Sequence, residues 1–371
     1  MFHIVLTSNN MRNWQRNEFE RPTSSVLDSI PYTFELPKKY PELVALLDKY
    51  PPECIETIIE RMIKCHHPSL KEGNKQLLGE FTKYVVRYYN KTAEKQPTSA
   101  RIRTIVQLMR GIALLIKLVP QDGVRCVRAL LQKQFATTRD PSPPSFAIVA
   151  ALRLVNNLFP VTEVFHGVVT PAVMLGCRSL TKCRIRNLTI LTRQLLLLTT
   201  LAEYINDSHR YIPEAMAFLL GALQLAVVLT EKEEANPPPT TAFPITHPHR
   251  RMIYVEESCV DAVLTPIAPS EIFDEKKTNS LASSDVNRCR VLHVYMALLK
   301  KFALLYATHT YTYTVLFTPF VELLRRLPIS RYPPKLHDEV EDLINTLDAA
   351  CKKHAAQTQL SRPKAEKKFV L

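Results

Sequence analysis

Glycine is scarce in this sequence and proline is abundant, with 7 Gly and 27 Pro among 371 residues. Glycine-rich loops cradle phosphates and close tight hairpins, so their scarcity disfavours a nucleotide-binding loop and a hairpin-rich β fold. Because hydrophobic residues make up 46% of the chain, a substantial core can form and wholesale disorder is excluded. Short helices punctuated by proline fit this composition best.

Catalytic motifs are also absent from the sequence. It contains no G-x-x-x-x-G-K-[ST], G-x-G-x-x-G, H-E-x-x-H or G-x-S-x-G pattern, which are motifs that bind phosphates, hold zinc or present a nucleophilic serine. We therefore expect no catalytic residue, no cofactor and no small-molecule substrate, and a protein that acts by binding other macromolecules.

The cysteines show neither disulfide nor zinc spacing. None forms a C-x-x-C pair, and Cys177 and Cys183 have the wrong spacing for a zinc knuckle. Cys65-His66-His67 and the pair His247 and His249 are the remaining metal candidates, but adjacent helical residues point in different directions and a lone histidine pair is a weak signal. We expect reduced core cysteines in an intracellular protein and no metal site.

Long apolar segments are lacking as well. The opening residues 1–6 lack the basic region and the long apolar run of a secretory signal. The longest apolar stretch, residues 215–230, is shorter than the roughly 20 residues needed to cross a bilayer. We expect neither export nor a membrane partner, and a buried core helix over 215–230.

A helical pattern is clearest over residues 101–119. Apolar residues recur there at spacings of three and four, with Met109 at the predicted centre of the stripe. They are Ile102, Ile105, Met109, Ile112, Ile116 and Val119. Pro120 and the following Gln121-Asp122-Gly123 predict a turn, after which residues 124–135 form a second amphipathic helix. Helices joined by so short a turn should be antiparallel.

The same pattern recurs along the chain. Further helices are predicted over residues 145–159, 168–180, 188–205, 213–229, 286–308, 313–327 and 334–353. Repeated helix pairs predict an all-α fold of HEAT-like stacked antiparallel helix pairs, an α-solenoid with one long inserted loop. The predicted segments are an unstructured 1–29, a helical array over 30–230, a proline-rich and polar insertion over 231–285, C-terminal helices over 286–355 and a basic disordered tail over 356–371.

Positive charge is the main functional signal. The formal net charge is +13 and the pI is near 9.3, which favours nucleic acid or other polyanionic partners. Three sets of basic residues are candidate contacts with RNA or an acidic partner: Arg103, Arg110 and Lys117; Arg125 and Arg128; and Arg178, Lys182, Arg184, Arg186 and Arg193. The last set has no acidic residue within it. Whether it binds phosphate or only keeps the surface soluble stays open at this point.

Several short motifs carry a family resemblance. Residues 30–34, 64–75, 159–160, 168–172, 180–183 and 210–221 match in order and spacing. The sequence resembles the nucleolar complex protein fourteen family over residues 30–363. The motif residues are Pro31, Tyr32, Thr33, Phe34, His67, Pro68, Ser69, Leu70, Gly73, Asn74, Lys75, Thr170, Pro171, Arg210, Pro213 and Glu214. Residues 1–29 show no resemblance, and the long charged extensions typical of the family are not expected here.

The resemblance implies a role in an assembly rather than a catalysed reaction. It implies a scaffold of the small-subunit processome in the nucleolus of the nucleus, needed for pre-18S rRNA processing and assembly of the 40S subunit from the 90S pre-ribosome. The implied partners are nucleolar complex protein four, the pseudouridine N1-methyltransferase of the particle, pre-rRNA and the U-three small nucleolar RNA. The alternative is a general helical-repeat adaptor or transport-type solenoid that binds protein without touching RNA.

Overall fold

The computed structural model describes residues 30–138, 142–162, 165–230, 242–243, 251–274, 281–308 and 310–361. Thirteen α-helices and two short 3-10 helices account for the regular structure of these residues, and none of them lies in a strand. The predicted all-α class is therefore confirmed. By their internal contacts the described residues divide into two units. The first consists of those within 1–185, 189–208 and 266–281, and the second of those within 186–188, 209–265 and 282–371.

The first unit contains the helices of the N-terminal half. In chain order they are α1 (Tyr40–Leu47), a 3-10 helix (Pro52–Cys54), α2 (Ile55–Cys65), α3 (Asn74–Ala93), α4 (Ser99–Leu118), α5 (Pro120–Thr137), α6 (Phe146–Leu158), α7 (Val169–Lys182), all but the first residue of α8 (Leu188–Ser208), and α10 (Pro269–Ile272). Helices near in sequence pack together: α4 contacts α2, α3 and α5, while α6 contacts α3, α5 and α7. Locally connected helix pairs thus build this unit.

The second unit contains α9 (Pro213–Gln224), α11 (Asp285–Leu305), α12 (Thr310–Leu324), a 3-10 helix (Ile329–Arg331) and α13 (Pro334–Ser361). The α12 and α13 helices form its most extensive contact, α13 also packs on α11, and α9 packs on α12. The Tyr295 hydroxyl of α11 donates to the Leu219 carbonyl of α9 at 2.9 Å, fixing these two helices through a buried hydrogen bond.

The predicted apolar stripe of α4 exists, but its centre was placed one residue too late. Leu108, Ile112 and Leu115 are completely buried, whereas Met109 is only half-buried and its sulfur accepts a hydrogen bond from Asn157 Nδ2 at 3.4 Å. Since α4 has neighbours on several sides, the spacing of its apolar residues at three and four did not show which face of the helix is most buried. The prediction that Met109 lies buried at the centre of the stripe is wrong.

The predicted turn at Gln121-Asp122-Gly123 is wrong, because these residues lie in the first turn of α5. Pro120 occupies the first helical position of α5, where its missing N–H leaves no intrahelical bond unmade, and Asp122 lies in the first turn. Gly123 is closely packed, because a Cβ atom there would lie 2.4 Å from Ile116 Cγ1. Val119 is the single residue between α4 and α5.

The apolar stretch over 215–230 forms a shorter helix than predicted. Helix α9 ends at Gln224, where the amides of Leu225 and Ala226 bond to the carbonyls of Ala222 and Leu223 and so tighten its end. Val227 is still buried, so the apolar run continues as core after the helix has ended. The prediction of a helix to residue 229 is wrong at its C-terminal end.

The predicted insertion over 231–285 has little regular structure in its described residues, 242–243, 251–274 and 281–285. The α10 helix is its only complete helix there. Ile253, Val255, Ile267 and Ile272 are nevertheless fully buried, so this part of the chain contributes to the cores of the units. The proline-rich residues 231–241 lie outside the described residues.

Helix α8 is long and apolar enough, by length and composition, to cross a membrane, and it is the one described helix that is so. Within the protein, 83% of its apolar window is buried. Tyr204 of this helix donates a hydrogen bond to the Leu152 carbonyl of α6. These contacts are those of a core helix.

The cysteines provide a test of how closed these cores are. All eight are free; Cys65 and Cys177 are half-buried, and the other six are buried. Burial also raises the pKa of the Cys289 thiol to about 12 and that of the Cys126 thiol above its usual value, so little reactive thiolate forms near neutral pH.

We expect a thiol reagent such as Ellman's to modify the thiols of Cys65 and Cys177 first in the native protein, and the remaining thiols only after denaturation. Stopped-flow absorbance with mass-spectrometric assignment would measure both phases. Rapid modification of all eight thiols without denaturant would contradict the closed cores.

Candidate functional site

Two of the predicted basic contacts hold helices together. Arg103 Nη1 lies 3.1 Å from Glu53 Oε1, and Arg110 Nη1 lies 3.2 Å from Glu56 Oε2, so both arginines of α4 pair with acids on the neighbouring 3-10 helix and α2. Their charges are compensated within the unit. Lys117, on the same helix, is exposed and forms no ion pair with any described residue.

Arg193 also has a structural setting. Its Nε donates to the Ile272 carbonyl, and its guanidinium lies 4.9 Å from the centre of the Phe273 ring. Arg193 and Phe273 line a cavity of about 270 Å³ together with Phe146 and Ile190. The side chain thereby attaches the returning segment 266–281 to α8.

The basic residues of α5 remain largely exposed. Arg125 pairs with Asp122 at 3.3 Å, yet 70% of its side chain is exposed. Arg128 Nε donates to the Gly167 carbonyl at 3.0 Å, which connects α5 to the segment entering α7. Since α5 and α7 also contact each other, these arginines lie on a helix adjacent to the third predicted cluster.

The segment that follows α7 presents the least compensated charges. Cys183 and Ile185 are buried, while the alternating Lys182, Arg184 and Arg186 are exposed. Cys183, where α7 ends, has an extended backbone, and burial alternates from residue to residue along this segment. None of the three basic side chains forms an ion pair or hydrogen bond with a described residue. The apolar residues thus anchor a segment whose cations project into solvent.

Arg178 differs from its neighbours in the cluster. It is half-buried, and its Nε is buried without a hydrogen-bond partner among the described residues. It is therefore a weaker candidate for a direct phosphate contact than Lys182 or Arg184.

The first group of motif residues builds local structure. Gly73 has a φ of 89°, a conformation that favours glycine, and precedes α3. Asn74 is buried, and its Nδ2 donates to the His67 carbonyl at 3.1 Å. His67 Nδ1 in turn lies 2.7 Å from Ser69 Oγ. These contacts fix the loop between α2 and α3; Pro68 in it is half-buried, and Leu70 and Lys75 are exposed.

The segment before α1 is held by one arginine. Arg61 donates to the Pro31 carbonyl at 2.9 Å and lies 4.6 Å from the centre of the Tyr32 ring, which is still 74% exposed. Thr33 is exposed and Phe34 is half-buried. This arginine was not singled out from the sequence, because nothing in its spacing distinguishes it from a solvated charge.

The second group of motif residues begins helices. Thr170 and Pro171 lie in the first turn of α7. Pro213 and Glu214 begin α9, as the proline pattern predicted. Arg210, just before α9, has a buried Nη2 without a partner among the described residues.

The predicted metal candidates gain no support. His66 of the Cys65-His66-His67 cluster directly follows α2, and its Nδ1 lies 3.1 Å from the Met62 carbonyl of that helix. Across the described ranges, no three His, Cys, Asp or Glu residues are arranged to hold a metal ion. His247 and His249 lie outside the described residues.

One exposed surface was not predicted. Residues 254–265 of the second unit combine exposed valines with exposed carboxylates, at Val260, Val263, Glu256, Glu257 and Asp261. The signal was present in the sequence, but it lay within a stretch interpreted as a polar insertion.

Comparison with known proteins identifies relatives of the chain. The family model described as the Nop14-like family matches residues 7–370. Nucleolar protein 14 of Homo sapiens is 26% identical over 358 residues, which cover 93% of this chain and 40% of the human protein. The Drosophila melanogaster homolog of nucleolar protein 14 is 26% identical over 354 residues, with the same 93% and 40% coverage. Nucleolar complex protein 14 of Saccharomyces cerevisiae is 24% identical over 222 residues, covering 57% of this chain and 27% of the yeast protein.

These matches bear on three expectations. The family resemblance is confirmed, and the predicted nucleolar location agrees with the names of the relatives. The expectation that residues 1–29 show no resemblance is wrong from residue 7 onward. The chain spans about two fifths of the length of the human and fly relatives. Because the family model covers nearly all of its residues, the chain belongs to the Nop14-like family.

Proposed function

We propose that the chain is a nucleolar ribosome-biogenesis factor that acts as a non-enzymatic scaffold of the small-subunit processome, in pre-18S rRNA processing and 40S subunit assembly. Its membership of the Nop14-like family supports the nucleolar role. Its helix pairs, packed mainly on neighbours in sequence, support a HEAT-like scaffold in the first unit. Pre-rRNA and the U-three small nucleolar RNA are the proposed RNA partners, and nucleolar complex protein four and the pseudouridine N1-methyltransferase the proposed protein partners.

One observation supports contact with RNA most directly. Lys182, Arg184 and Arg186 project from a segment that is anchored by buried Cys183 and Ile185. Because no described carboxylate neutralises them, they keep their full attraction for phosphate and gain a favourable counterion release on binding. Arg103, Arg110 and Arg193 lack this property, since they are already held by acids or carbonyls of the protein. The RNA contact is therefore proposed for the segment after α7, with Lys117, Arg125 and Arg128 as further contacts.

Changing Lys182, Arg184 and Arg186 together to Gln should weaken RNA binding without unfolding the protein. Each lost phosphate contact contributes about 0.7–0.9 to the slope of log affinity against log salt, so the slope should flatten by about two units. Fluorescence anisotropy of a labelled mixed-sequence RNA across a salt series would measure it, and circular dichroism would confirm that helicity is retained.

A matched control removes the same charge elsewhere. Lys49, Lys71 and Lys353 are exposed and form no ion pair with any described residue, so changing these three to Gln lowers the net charge equally. The control should shift the slope by well under one unit. If both triple variants lost RNA affinity equally, the effect would be one of net charge, and the proposed contact would be wrong. If neither changed affinity or slope, the protein-binding adaptor would be the better description.

A further inference from the structure

Residues 254–265, here called the strap, form an irregular but tightly held segment of the second unit. They contain no helix or strand. Arg288 Nη1 donates to the Tyr254 carbonyl at 3.0 Å, Arg331 Nη1 donates to the Val255 carbonyl at 3.0 Å, and Arg290 Nε donates to the Thr265 carbonyl at 2.8 Å. Three arginines thus hold the strap at both ends.

Two further contacts hold its middle. The amide of Glu257 donates to Asp285 Oδ2 at 2.9 Å, and the amide of Cys259 donates to the Arg331 carbonyl at 2.8 Å. Cys259 is itself buried. Because these bonds already order the strap, the free energy of binding a partner does not have to offset the entropy lost in ordering a loop.

The strap presents apolar side chains to solvent. Val263 is 79% exposed and Val260 is 42% exposed. Val286, in the first turn of α11, is 40% exposed and directly follows Asp285, which bonds to the strap. These valines give the ordered strap an apolar surface that the side chain of a partner can cover.

The charges of the strap decide what can dock on it. Glu256, Glu257 and Asp261 are exposed, and their carboxylates form no ion pair with any described residue. The strap contains no Lys or Arg, although the whole chain has a net charge of +13. The arginines that hold the strap, Arg288, Arg290 and Arg331, are half-buried and direct N–H donors to its backbone carbonyls. The charges that the strap itself exposes are therefore negative, and they favour lysine and arginine side chains over RNA phosphates.

We propose that the strap and Val286 form the docking surface for a partner protein segment in which Lys or Arg residues flank an apolar side chain. The apolar side chain would cover Val260 and Val263, and the cations would pair with the three carboxylates. The proposal rests on the proposed scaffold role, and it separates a protein-facing surface from the RNA-facing segment after α7. Its test does not use RNA binding, so the two proposals can fail independently.

The experiment places a photo-reactive benzoylphenylalanine at Val263 of the full chain in cells and identifies the cross-linked segment by mass spectrometry. A second probe at Val315 of α12, which is 77% exposed, controls for exposure alone. We expect the Val263 probe to capture a protein segment that has more Lys and Arg than Asp and Glu and an apolar residue at the cross-link. The Val315 probe should not capture that segment.

Charge reversal completes the test. Glu256→Lys, Glu257→Lys and Asp261→Lys together should reduce the Val263 cross-link about tenfold or more. The matched triple Glu35→Lys, Glu72→Lys and Glu322→Lys changes the net charge equally at exposed acids elsewhere and should leave the cross-link unchanged. Cross-linking to RNA, to an acidic segment, to the tail 362–371 or to a second copy of the chain would overturn the proposal. A Val263 cross-linking yield that is unchanged by the charge reversal at Glu256, Glu257 and Asp261 would also overturn it.

Discussion

Leu108→Asp should unfold the first unit. Leu108 is completely buried in α4, and Ile59 of α2 approaches the same helix so closely that a Cβ on Gly111 would lie 2.6 Å from its Cδ1. The variant loses the apolar packing of a leucine, which costs about 2–5 kcal/mol, and buries a carboxylate for which the described core offers no base. The lost packing and the buried carboxylate together cost a free energy comparable to the whole stability of a typical domain, about 5–15 kcal/mol.

The neighbouring Met109→Asp variant is the matched control. Met109 is half-buried, so the new carboxylate can reach water, and the expected loss is about 1–2 kcal/mol. Thermal and urea unfolding followed by circular dichroism would compare the two variants. Equal destabilisation by the two variants, or a larger effect at residue 109, would show that Met109 is buried at the centre of the stripe, as the sequence pattern predicted.

Arg153→Met should produce the second large loss of stability. Arg153 Nη2 of α6 lies 3.1 Å from Glu203 Oε1 of α8, and the two side chains are only 25% and 16% exposed. Asn156 Nδ2 donates to the other carboxylate oxygen of Glu203 at 3.3 Å. Without the arginine, the mostly enclosed carboxyl group of Glu203 keeps only the Asn156 amide as a partner, which should cost about 2–3 kcal/mol.

A double-mutant cycle separates the ion pair from packing. Glu203→Leu alone should also destabilise the unit, because it removes the carboxylate with which Arg153 pairs, while Arg153→Met with Glu203→Leu should recover much of the loss. Urea unfolding of the wild type, the two single variants and the double variant would give a coupling energy of about 1–2 kcal/mol. Strict additivity of the two losses would mean that the pair does not interact in solution.

The helical fold could be predicted because its signal is local. Apolar spacing and proline position indicated α4, α6 and α7 to within a few residues, and both depend on neighbours along the chain. Which side of α4 is most enclosed could not be predicted, since that depends on α2, α3 and α5 together. The start of α5 at Pro120 was missed because proline can either end one helix or begin the next.

The candidate site could be predicted only as a set of residue types. The sequence shows that Arg103, Arg184 and Arg193 are basic, but not that Arg103 pairs with Glu53 or that Arg193 bonds to the Ile272 carbonyl. Those partners are about 50 to 80 residues away along the chain, so no local pattern reveals them. The strap was missed for the same reason, because its rigidity comes from arginines of the following elements.

The first unit is discontinuous in sequence, so its last segment is synthesised well after the rest of the unit. The chain leaves this unit at residue 208 and returns to it with residues 266–281, which include Phe273 and the carbonyl that Arg193 binds. During translation, α1 to α8 are therefore made some seventy residues before their last packing partner, a delay on the order of 4–15 s at usual elongation rates. Through that interval the ring of Phe146 lacks the Phe273 ring that packs on it. A nascent chain at this stage exposes apolar surface that the finished protein covers, and it is the stage at which a chaperone would have most to bind.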